Sequence, residues 1–179
     1  QLTYGAGGLI IVRDPAESPV HEAGTGPVLF RLGEFTAAPL ICYDLRFPEL
    51  FRAAMHRGAD LFIVIAAWPA IRIGHWLALL RARAIENLAF VIGVNRTGHE
   101  PSCECGGRSV MTSAQGERIA EAGAAETVRT RAIHTDEAAA WRAKLTARGD
   151  ARRASSERAA ARAAVDRMRA ETHPHAART

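Results

Sequence analysis

The sequence predicts an α/β fold of stacked layers, and three observations support this prediction. Continuous apolar runs at residues 7–12, 60–68 and 90–95 are typical of strands buried inside a sheet. Amphipathic segments with helical spacing begin at residues 47 and 74 and separate the later runs. The chain then changes to short apolar segments divided by turn residues, which favours an antiparallel meander. Buried strands alternating with helices and followed by a meander indicate a layered α/β domain.

The first quarter of the chain predicts a strand, a loop and a hairpin. Residues 7–12 are β-branched and apolar, as in a buried strand, and residues 14–27 are dense in Pro, Gly and Ser, as in a loop. Residues 28–32 and 35–42 flank Gly33-Glu34, a pair that suits a tight turn.

Two helices are predicted next, each followed by a strand. The first helix begins at Phe47, where Pro48 suits the opening turn, and Gly58 is a natural stop. The second helix is predicted at residues 74–89, with Trp76 among the residues of its apolar side. The strands after these helices lie at residues 60–68 and 90–95.

The last part of the chain predicts shorter elements. Residues 107–114, 117–122 and 127–133 are expected to pair antiparallel, and residues 136–145 form a closing helix. Residues 149–179 repeat Ala and Arg, so they favour a helix by propensity, but their apolar face is too narrow to dock firmly. We expect a helical or disordered, solvent-facing tail.

These features divide the chain into an α/β domain at residues 1–148 and a basic tail at residues 149–179. The segment 151–179 holds seven Arg against three acidic residues, a net charge of +4 that equals the charge of the whole chain. A basic tail can bind nucleic acid through phosphates, but this one has no aromatic residues for stacking. We favour a solvated extension over a nucleic-acid partner.

Composition narrows the class of protein. Apolar residues make up 48% and charged residues 23% of the chain, as in globular proteins, and no apolar run approaches the ~20 residues that cross a bilayer. The chain has three cysteines, an odd number that does not make a disulfide framework in a chain of this size. We therefore expect a cytoplasmic protein with no membrane partner.

Cys42 ends an apolar run, turn-prone residues and then a predicted helix follow it, and this placement has two interpretations. A strand-to-helix turn can hold a thiol at the carboxyl edge of a sheet and direct the next backbone N–H, that of Tyr43, to the same point. A cysteine at a strand end can equally be a buried spectator, since free cysteine is among the most buried residue types.

Four motifs resolve this choice through a resemblance. The stretches "ICYDLRFPELFR", "ADLFIVIAAWPAIRIGHWLALLRARAIEN", "VIGVNRTG" and "GGRSVMTSAQGERIAEA" occur in this order. Together they resemble the nitrilase superfamily of carbon–nitrogen hydrolases, most closely its ω-amidase group. The resemblance runs from about Glu17 to about Leu145.

The resemblance implies an α/β/β/α sandwich with a Glu-Lys-Cys triad that hydrolyses a small carboxylic acid amide through a thioester. Cys42 takes the place of the nucleophile, and the Tyr43 backbone N–H that of an oxyanion donor. Glu17 falls where the family has a further glutamate that supports the lysine, with Glu22 as a competitor. The resemblance also implies a homodimer and neither a metal nor an organic cofactor.

The chain departs from the family pattern at two of the three triad positions. Residues 5–13, where the family has its lysine, contain none, and the one lysine of the chain is Lys144 in the closing helix. The family's first glutamate lies further upstream than these residues. We therefore expect a partial sandwich, truncated at its amino end, with impaired activity. The alternative is a non-catalytic remnant that acts as an interaction or regulatory subunit.

Several residues near Cys42 have two interpretations. Arg46 can bind a substrate carboxylate or form a helix-start salt bridge with Asp44 or Glu49, and Trp68 can line the acyl pocket or belong to the core. Further candidates for a site-shaping role are Pro69, Trp76, Asn95 and Arg96.

Two other groups of polar residues are interpreted as structural. Arg83 and Glu86 are expected to form a framework ion pair. Cys103 and Cys105, near His99, lack the spacing of a zinc site, so we expect a flexible loop with two incidental thiols.

Overall fold

The computed structural model describes residues 26–100 and 103–145, together with scattered positions of the tail between residues 149 and 163. The strand predicted at residues 7–12, Glu17 and Glu22 lie outside the described residues. The chain divides into two compact units, Gln1–Lys144 and Leu145–Thr179.

The first unit contains a six-stranded sheet and a separate two-stranded one. The large sheet has the order β1-β2-β3-β4-β7-β8, and β5 pairs with β6. The strands are β1 (Phe30–Leu32), β2 (Phe35–Ile41), β3 (Leu61–Ala66), β4 (Phe90–Asn95), β5 (Thr97–Glu100), β6 (Cys103–Gly106), β7 (Val110–Thr112) and β8 (Arg118–Glu121).

Three parallel strands form the centre of the large sheet. β2 pairs with β3, and β3 with β4, in parallel, so that Ile41 lies opposite Ile65 and Ala66 opposite Asn95. β1, β7 and β8 extend the sheet with antiparallel pairings. Because the carboxyl ends of parallel strands lie at the same edge of a sheet, the residues that follow β2, β3 and β4 are neighbours at that edge.

Within residues 26–100 and 103–145, three α-helices accompany the sheet: α1 (Pro48–His56), α2 (Ile73–Asn87) and α3 (Thr135–Lys144). α1 begins at Pro48, and Gly58, with φ of 104°, lies two residues after its end, as the sequence predicts. α1 and α2 form the crossovers between the parallel strands, a connection that parallel pairing requires.

α1 and α2 pack on one face of the sheet. The Phe51 ring of α1 lies 5.0 Å from the Phe62 ring of β3, and both side chains are fully buried. On β4, a Cβ added at Gly93 would lie 2.4 Å from Leu80 and 2.8 Å from Trp76 of α2. The helix therefore approaches the strand closely because this position has no side chain.

The opposite face of the sheet is only partly covered. Near the start of the strands, Leu61 and Phe90 join a buried cluster with Ala138 of α3, and Trp141 packs against it. Nearer the strand ends, Ile65 is 44% exposed and Val94 47% exposed. This part of the face is therefore exposed.

Two predicted segments differ from the structure. Residues 127–133 are not a strand, and none of the described strands pairs with them. Val128 is 86% exposed and most neighbouring residues are exposed too, and Ile133, which packs against the buried cluster, is the exception. Cys103 and Cys105 do not lie in a loop, since they belong to β6, which pairs with Thr97–Glu100. Cys103 and Cys105 lie on the same face of β6, because alternate residues of a strand do. This strand was not predicted, because the residues around the two cysteines have a turn-like composition.

The described residues of the tail are helical and exposed. Arg153 and Asp150 form a salt bridge within it. In the part of the chain that the structure describes, no helix combines the length and hydropathy needed to span a membrane.

Candidate active site

Cys42 lies at a sharp reversal of the chain. It follows the last residue of β2, opens a short 3₁₀ helix (Cys42–Arg46) and has φ of 43°. A left-handed backbone is costly for residues other than glycine, and such conformations concentrate at functional sites. The turn leaves Cys42 half-buried at the carboxyl edge of the parallel strands, which is where α/β sheets bind ligands.

Opposing influences act on the pKa of the Cys42 thiol. Burial raises the pKa of the Cys42 thiol above its ordinary value, while hydrogen bonds from the Ala67 and Tyr43 backbone amides lower it and the Asp44 charge raises it. Ala67 directly follows β3, so the donor comes from the neighbouring parallel strand. Within the described residues, burial outweighs these donors, and the thiol is favoured over the thiolate.

Asp44 closes the turn that carries Cys42. Its Oδ2 accepts a hydrogen bond of 2.9 Å from the Ile41 backbone N–H. Burial raises the pKa of Asp44 to about 6, against the lowering effect of that hydrogen bond. Asp44 therefore shapes the turn, and it does not form the salt bridge with Arg46 that the sequence left open.

Arg46 lies over two aromatic rings. Its guanidinium carbon is 5.1 Å from the centre of the Trp68 ring and 5.6 Å from that of Tyr43. Among the described residues Arg46 forms no salt bridge. A guanidinium stacked on rings keeps its N–H groups in the ring plane available for a carboxylate, with its orientation fixed.

Trp68 is the buried ring on which the Arg46 guanidinium stacks. Only 2% of the residue is exposed, its Nε1–H donates to the Arg72 carbonyl at 2.9 Å, and its ring lies 5.6 Å from the Trp76 ring. The structure thus places Trp68 in the core and brings it into contact with Arg46. Trp76 is fully buried and donates its Nε1–H to the Arg108 carbonyl.

Arg83 and Glu86 form the predicted framework pair. Arg83 Nη1 lies 3.1 Å from Glu86 Oε1. Its Nε and Nη2 both donate to the Leu45 carbonyl, at 3.1 and 2.8 Å. Because Leu45 belongs to the 3₁₀ helix after Cys42, this buried arginine anchors the turn to α2.

Asn95 ends β4 next to the residues that follow β3. It is 4% exposed, and its side-chain amide hydrogen-bonds to both backbone groups of Trp68 and to the Gly107 carbonyl. The sequence predicted a site-shaping role for Asn95 and missed Ala67 and Ser109. Both residues lie within the quoted motifs, but an alanine and a lone serine carry little chemical signal, so the sequence did not single them out.

The remaining predicted groups lie elsewhere. Glu17, the second predicted catalytic residue, falls outside the described residues. Across residues 26–100 and 103–145, no group of three or more His, Cys, Asp or Glu side chains could hold a metal ion. Cys105 is buried, which raises the pKa of its thiol, and Cys103 beside it is half-buried.

Comparison with known proteins gives a consistent family. The carbon-nitrogen hydrolase family model matches residues 10–143. A 2-oxoglutaramate amidase of Bacillus subtilis is 38% identical over 132 residues, covering 74% of this chain and 51% of that protein. The omega-amidase YafV of Escherichia coli K12 is 44% identical over 110 residues, covering 61% of this chain and 42% of that protein.

Solved structures share the fold. A superfamily protein from Xanthomonas campestris, with an arsenic adduct in its active site, matches with a TM-score of 0.72 and 34% identity over 79% of this chain and 56% of that one. An amidase of Nesterenkonia sp. AN1, with an acetamide moiety on its active-site cysteine, matches with a TM-score of 0.59 and 32% identity over 65% and 44% of the two chains. The chain spans about half the length of the relatives it matches.

Proposed function

The chain belongs to the carbon–nitrogen hydrolase family, and on this basis we propose that Cys42 is the nucleophile of an amidase that acts on a small carboxylic acid amide. One observation carries the proposal. Cys42 sits in a left-handed turn at the carboxyl edge of three parallel strands, where hydrogen bonding from the Ala67 and Tyr43 backbone amides acts to lower the pKa of its thiol. The active-site cysteine of the Nesterenkonia amidase supports the same assignment.

The proposed reaction has two covalent steps. The Cys42 thiolate attacks the amide carbonyl carbon, and the tetrahedral intermediate expels the nitrogen as ammonia after it gains a proton, which leaves a thioester. Water then adds to the thioester carbonyl, releasing the carboxylic acid and the thiol. The Tyr43 backbone N–H contributes a hydrogen bond to the oxyanion of both intermediates.

The proposed substrate carries a carboxylate as well as the amide, as a dicarboxylic acid monoamide does. Arg46 supports this proposal, because its guanidinium is held on the Trp68 ring four residues after the nucleophile and forms no salt bridge with a described residue. A bidentate contact would orient the substrate carbonyl toward Cys42.

The proposal is tested by labelling with an α-haloamide that bears a carboxylate, at pH 9, where the thiolate is populated. We expect labelling of Cys42 to saturate with reagent concentration and to be slowed by a dicarboxylic acid monoamide. Arg46→Gln should remove the preference for the carboxylate-bearing reagent over a neutral one, while Arg72→Gln, an exposed arginine, should keep it. Labelling that stays linear and is not slowed by the monoamide contradicts the proposal.

We further propose that these 179 residues alone turn over an amide slowly. Burial raises the pKa of the Cys42 thiol, so little thiolate is present at neutral pH, and the described residues supply neither the lysine nor the glutamate that the resemblance implies. Losing members of a coupled triad lowers rates by orders of magnitude. Rapid Cys42-dependent ammonia release from a monoamide at pH 7 would overturn this expectation.

The raised pKa also favours a second candidate function, a non-catalytic subunit. Such a chain would use its half-exposed sheet face, with Ile65 and Val94, to bind a partner. The labelling experiment separates the two functions, because a subunit without a substrate site shows no saturation at Cys42.

A further inference from the structure

The Leu45 carbonyl lies near the end of the 3₁₀ helix that begins with Cys42, and it needs a partner from outside that helix. In a 3₁₀ helix each carbonyl accepts from the N–H three residues later, as the Asp44 carbonyl does from Phe47 at 3.0 Å. Three residues after Leu45 lies Pro48, which has no backbone N–H. Leu45 is fully buried, so its carbonyl must be paired within the protein.

Arg83 of α2 supplies that partner. Its Nε and Nη2 both donate to the Leu45 carbonyl oxygen, at 3.1 and 2.8 Å. Arg83 is only 5% exposed, and a charge buried to this degree is tolerated when its donors are hydrogen-bonded. Hydrogen bonds from a charged donor are also stronger than those from a neutral one. A side chain from another element thus completes the hydrogen bonding of the turn that carries Cys42.

Further contacts fix the guanidinium of Arg83 in place. Its Nη1 lies 3.1 Å from Glu86 Oε1, an oxygen that also accepts from Asn87 Nδ2 at 3.4 Å. The guanidinium carbon lies 5.3 Å from the centre of the Phe51 ring, which is fully buried. Because the guanidinium is a rigid plane, contacts to its nitrogens and to its face set both its position and its orientation.

The peptide that Arg83 holds is the one from which Arg46 begins. The Leu45 carbonyl and the Arg46 N–H belong to a single planar peptide group, so fixing the carbonyl also fixes the backbone of Arg46. The Arg46 side chain then extends over the buried Trp68 ring, with its guanidinium carbon 5.1 Å from the ring centre. Arg83 therefore anchors the short helix that has Cys42 at one end and Arg46 at the other.

We propose that Arg83 is a positioning residue: by holding the Leu45 carbonyl, it sets where Arg46 meets a substrate carboxylate relative to Cys42. The inference rests on the proposed amidase function and deepens it, because it names a residue that determines specificity without belonging to the pocket. Arg83 does not touch the substrate, and it acts only through the peptide that it holds. Glu86 takes part by orienting the Arg83 guanidinium.

The first measurement is amide hydrogen exchange of the turn, followed by NMR, and it needs no substrate. The Phe47 N–H donates to the Asp44 carbonyl within the turn, so its exchange rate reports local opening. We expect this rate to be roughly tenfold higher in Arg83→Met and to rise less in Arg83→Lys, which keeps one charged donor. Amides of β3 and β4 should exchange as in the parent, whereas a general loss of stability would make them exchange faster too.

The second measurement is the rate of Cys42 labelling by the carboxylate-bearing α-haloamide divided by the rate with a neutral one. In Arg83→Met, and to a smaller extent in Arg83→Lys, this ratio should fall towards that of Arg46→Gln, because the Arg46 guanidinium is no longer held in one place. Arg52→Met is the matched control. Arg52 Nη1 also donates to a backbone carbonyl, that of Glu86 at 2.8 Å, but this contact joins α1 to α2. Its loss should change neither the ratio nor the exchange of the turn.

Each result decides a separate point. An unchanged Phe47 exchange rate in a folded Arg83→Met overturns the proposal, and Arg83→Lys decides in the same way if Arg83→Met does not fold. Faster exchange with an unchanged labelling ratio also overturns it, because Arg83 would then stabilise the turn without positioning Arg46. A parent chain that shows no carboxylate preference contradicts the proposed substrate instead, and the exchange rates then decide whether Arg83 holds the turn.

Discussion

At the scale of single residues, the conformation of one cysteine and the charges around it decide the chemistry. The sequence could single out Cys42 and Tyr43 because their motif is local, and hydrogen bonding from the Tyr43 backbone amide acts to lower the pKa of the Cys42 thiol. It could not predict the Ala67 amide, because that contact joins residues 25 positions apart and uses only backbone. The sequence also could not show that burial outweighs these donors and raises the thiol pKa.

The first residue-scale prediction concerns Asp44 and the reactivity of Cys42. The Asp44 charge raises the pKa of the thiol, so Asp44→Asn should lower the midpoint of Cys42 alkylation against pH. Asparagine keeps an oxygen to accept the Ile41 N–H, which preserves the turn. The measurement is the labelling rate from pH 6 to 10.

Asp60→Asn is the matched control for that measurement. Asp60 also accepts a backbone hydrogen bond, from the Thr36 N–H at 2.8 Å, and it directly precedes β3, at the end of the sheet away from Cys42. Its substitution should leave the Cys42 profile unchanged. A midpoint that rises or stays constant in Asp44→Asn would show that the carboxylate does not act on the sulfur.

The second residue-scale prediction concerns stability against pH. The pKa of Asp44 is about 6 in the folded chain, above its value in the unfolded chain, so the folded state binds the proton more tightly. The free energy of unfolding contributed by this group should therefore fall as pH rises from about 4 to about 6, by about 1–2 kcal/mol after allowance for partial solvent screening.

Urea unfolding at pH 4.5, 5.5 and 6.5 measures this effect as a difference between two proteins. The loss of stability with rising pH should be smaller in Asp44→Asn than in the parent chain. Parallel curves for the two proteins would assign the pH dependence to other groups.

At the scale of elements, the periodic segments were predicted well and the irregular ones poorly. The helix at Pro48–His56 follows from its apolar spacing and from Pro48 and Gly58 at its ends, and the strand at Phe90–Asn95 follows from its continuous apolar run. Residues 127–133 alternate Val128, Thr130 and Ala132 with arginines, but none of the described strands pairs with them, and such pairing depends on residues outside the segment. The strand at Cys103–Gly106 depends likewise on its partner β5.

The element-scale prediction concerns the contact between α2 and β4. Gly93→Ala would place a Cβ 2.4 Å from Leu80 and 2.8 Å from Trp76, and both side chains are fully buried and cannot move aside easily. We expect a loss of about 1–3 kcal/mol in the free energy of unfolding. Thermal and urea unfolding measure it.

Gly74→Ala serves as the control because it lies in α2 with open space around its Cα. This substitution should be neutral or stabilise the chain by about 0.5–1 kcal/mol through helix propensity. If Gly93→Ala is as stable as the parent, helix and strand are not packed as closely as described.

At the scale of the whole molecule, the family and fold could be predicted from the sequence, while the extent of the uncovered surface could not. The central sheet follows from the parallel strands and their helices, and the solved relatives share it with TM-scores of 0.72 and 0.59. The area of the opposite sheet face that α3 covers depends on where Ala138 and Trp141 pack, and no local sequence pattern specifies those contacts.

The whole-molecule prediction concerns self-association through the exposed sheet face. Ile65→Thr and Val94→Thr remove apolar side chains that are nearly half exposed, so the purified chain should stay monomeric at higher concentration. Size-exclusion chromatography with light scattering measures the mass. Val64→Thr, whose side chain is fully buried on the other face, should instead destabilise the fold.

The opposite result would contradict this view of the surface. If the parent chain is a stable dimer whose mass is unaffected by Ile65→Thr and Val94→Thr, the sheet face is not the site of association. A homodimer formed elsewhere, as the family resemblance implies, would then account for the mass.

The left-handed backbone at Cys42 also bears on how this chain changes over generations. Glycine adopts φ near 43° freely, whereas other residues incur about 1–2 kcal/mol, so random substitution to glycine would make the turn more stable. A lineage released from selection for amide hydrolysis should therefore lose its cysteine here early. A cysteine kept at position 42 in descendants would indicate that the thiol is still used, and a glycine there would indicate that amide hydrolysis has been lost.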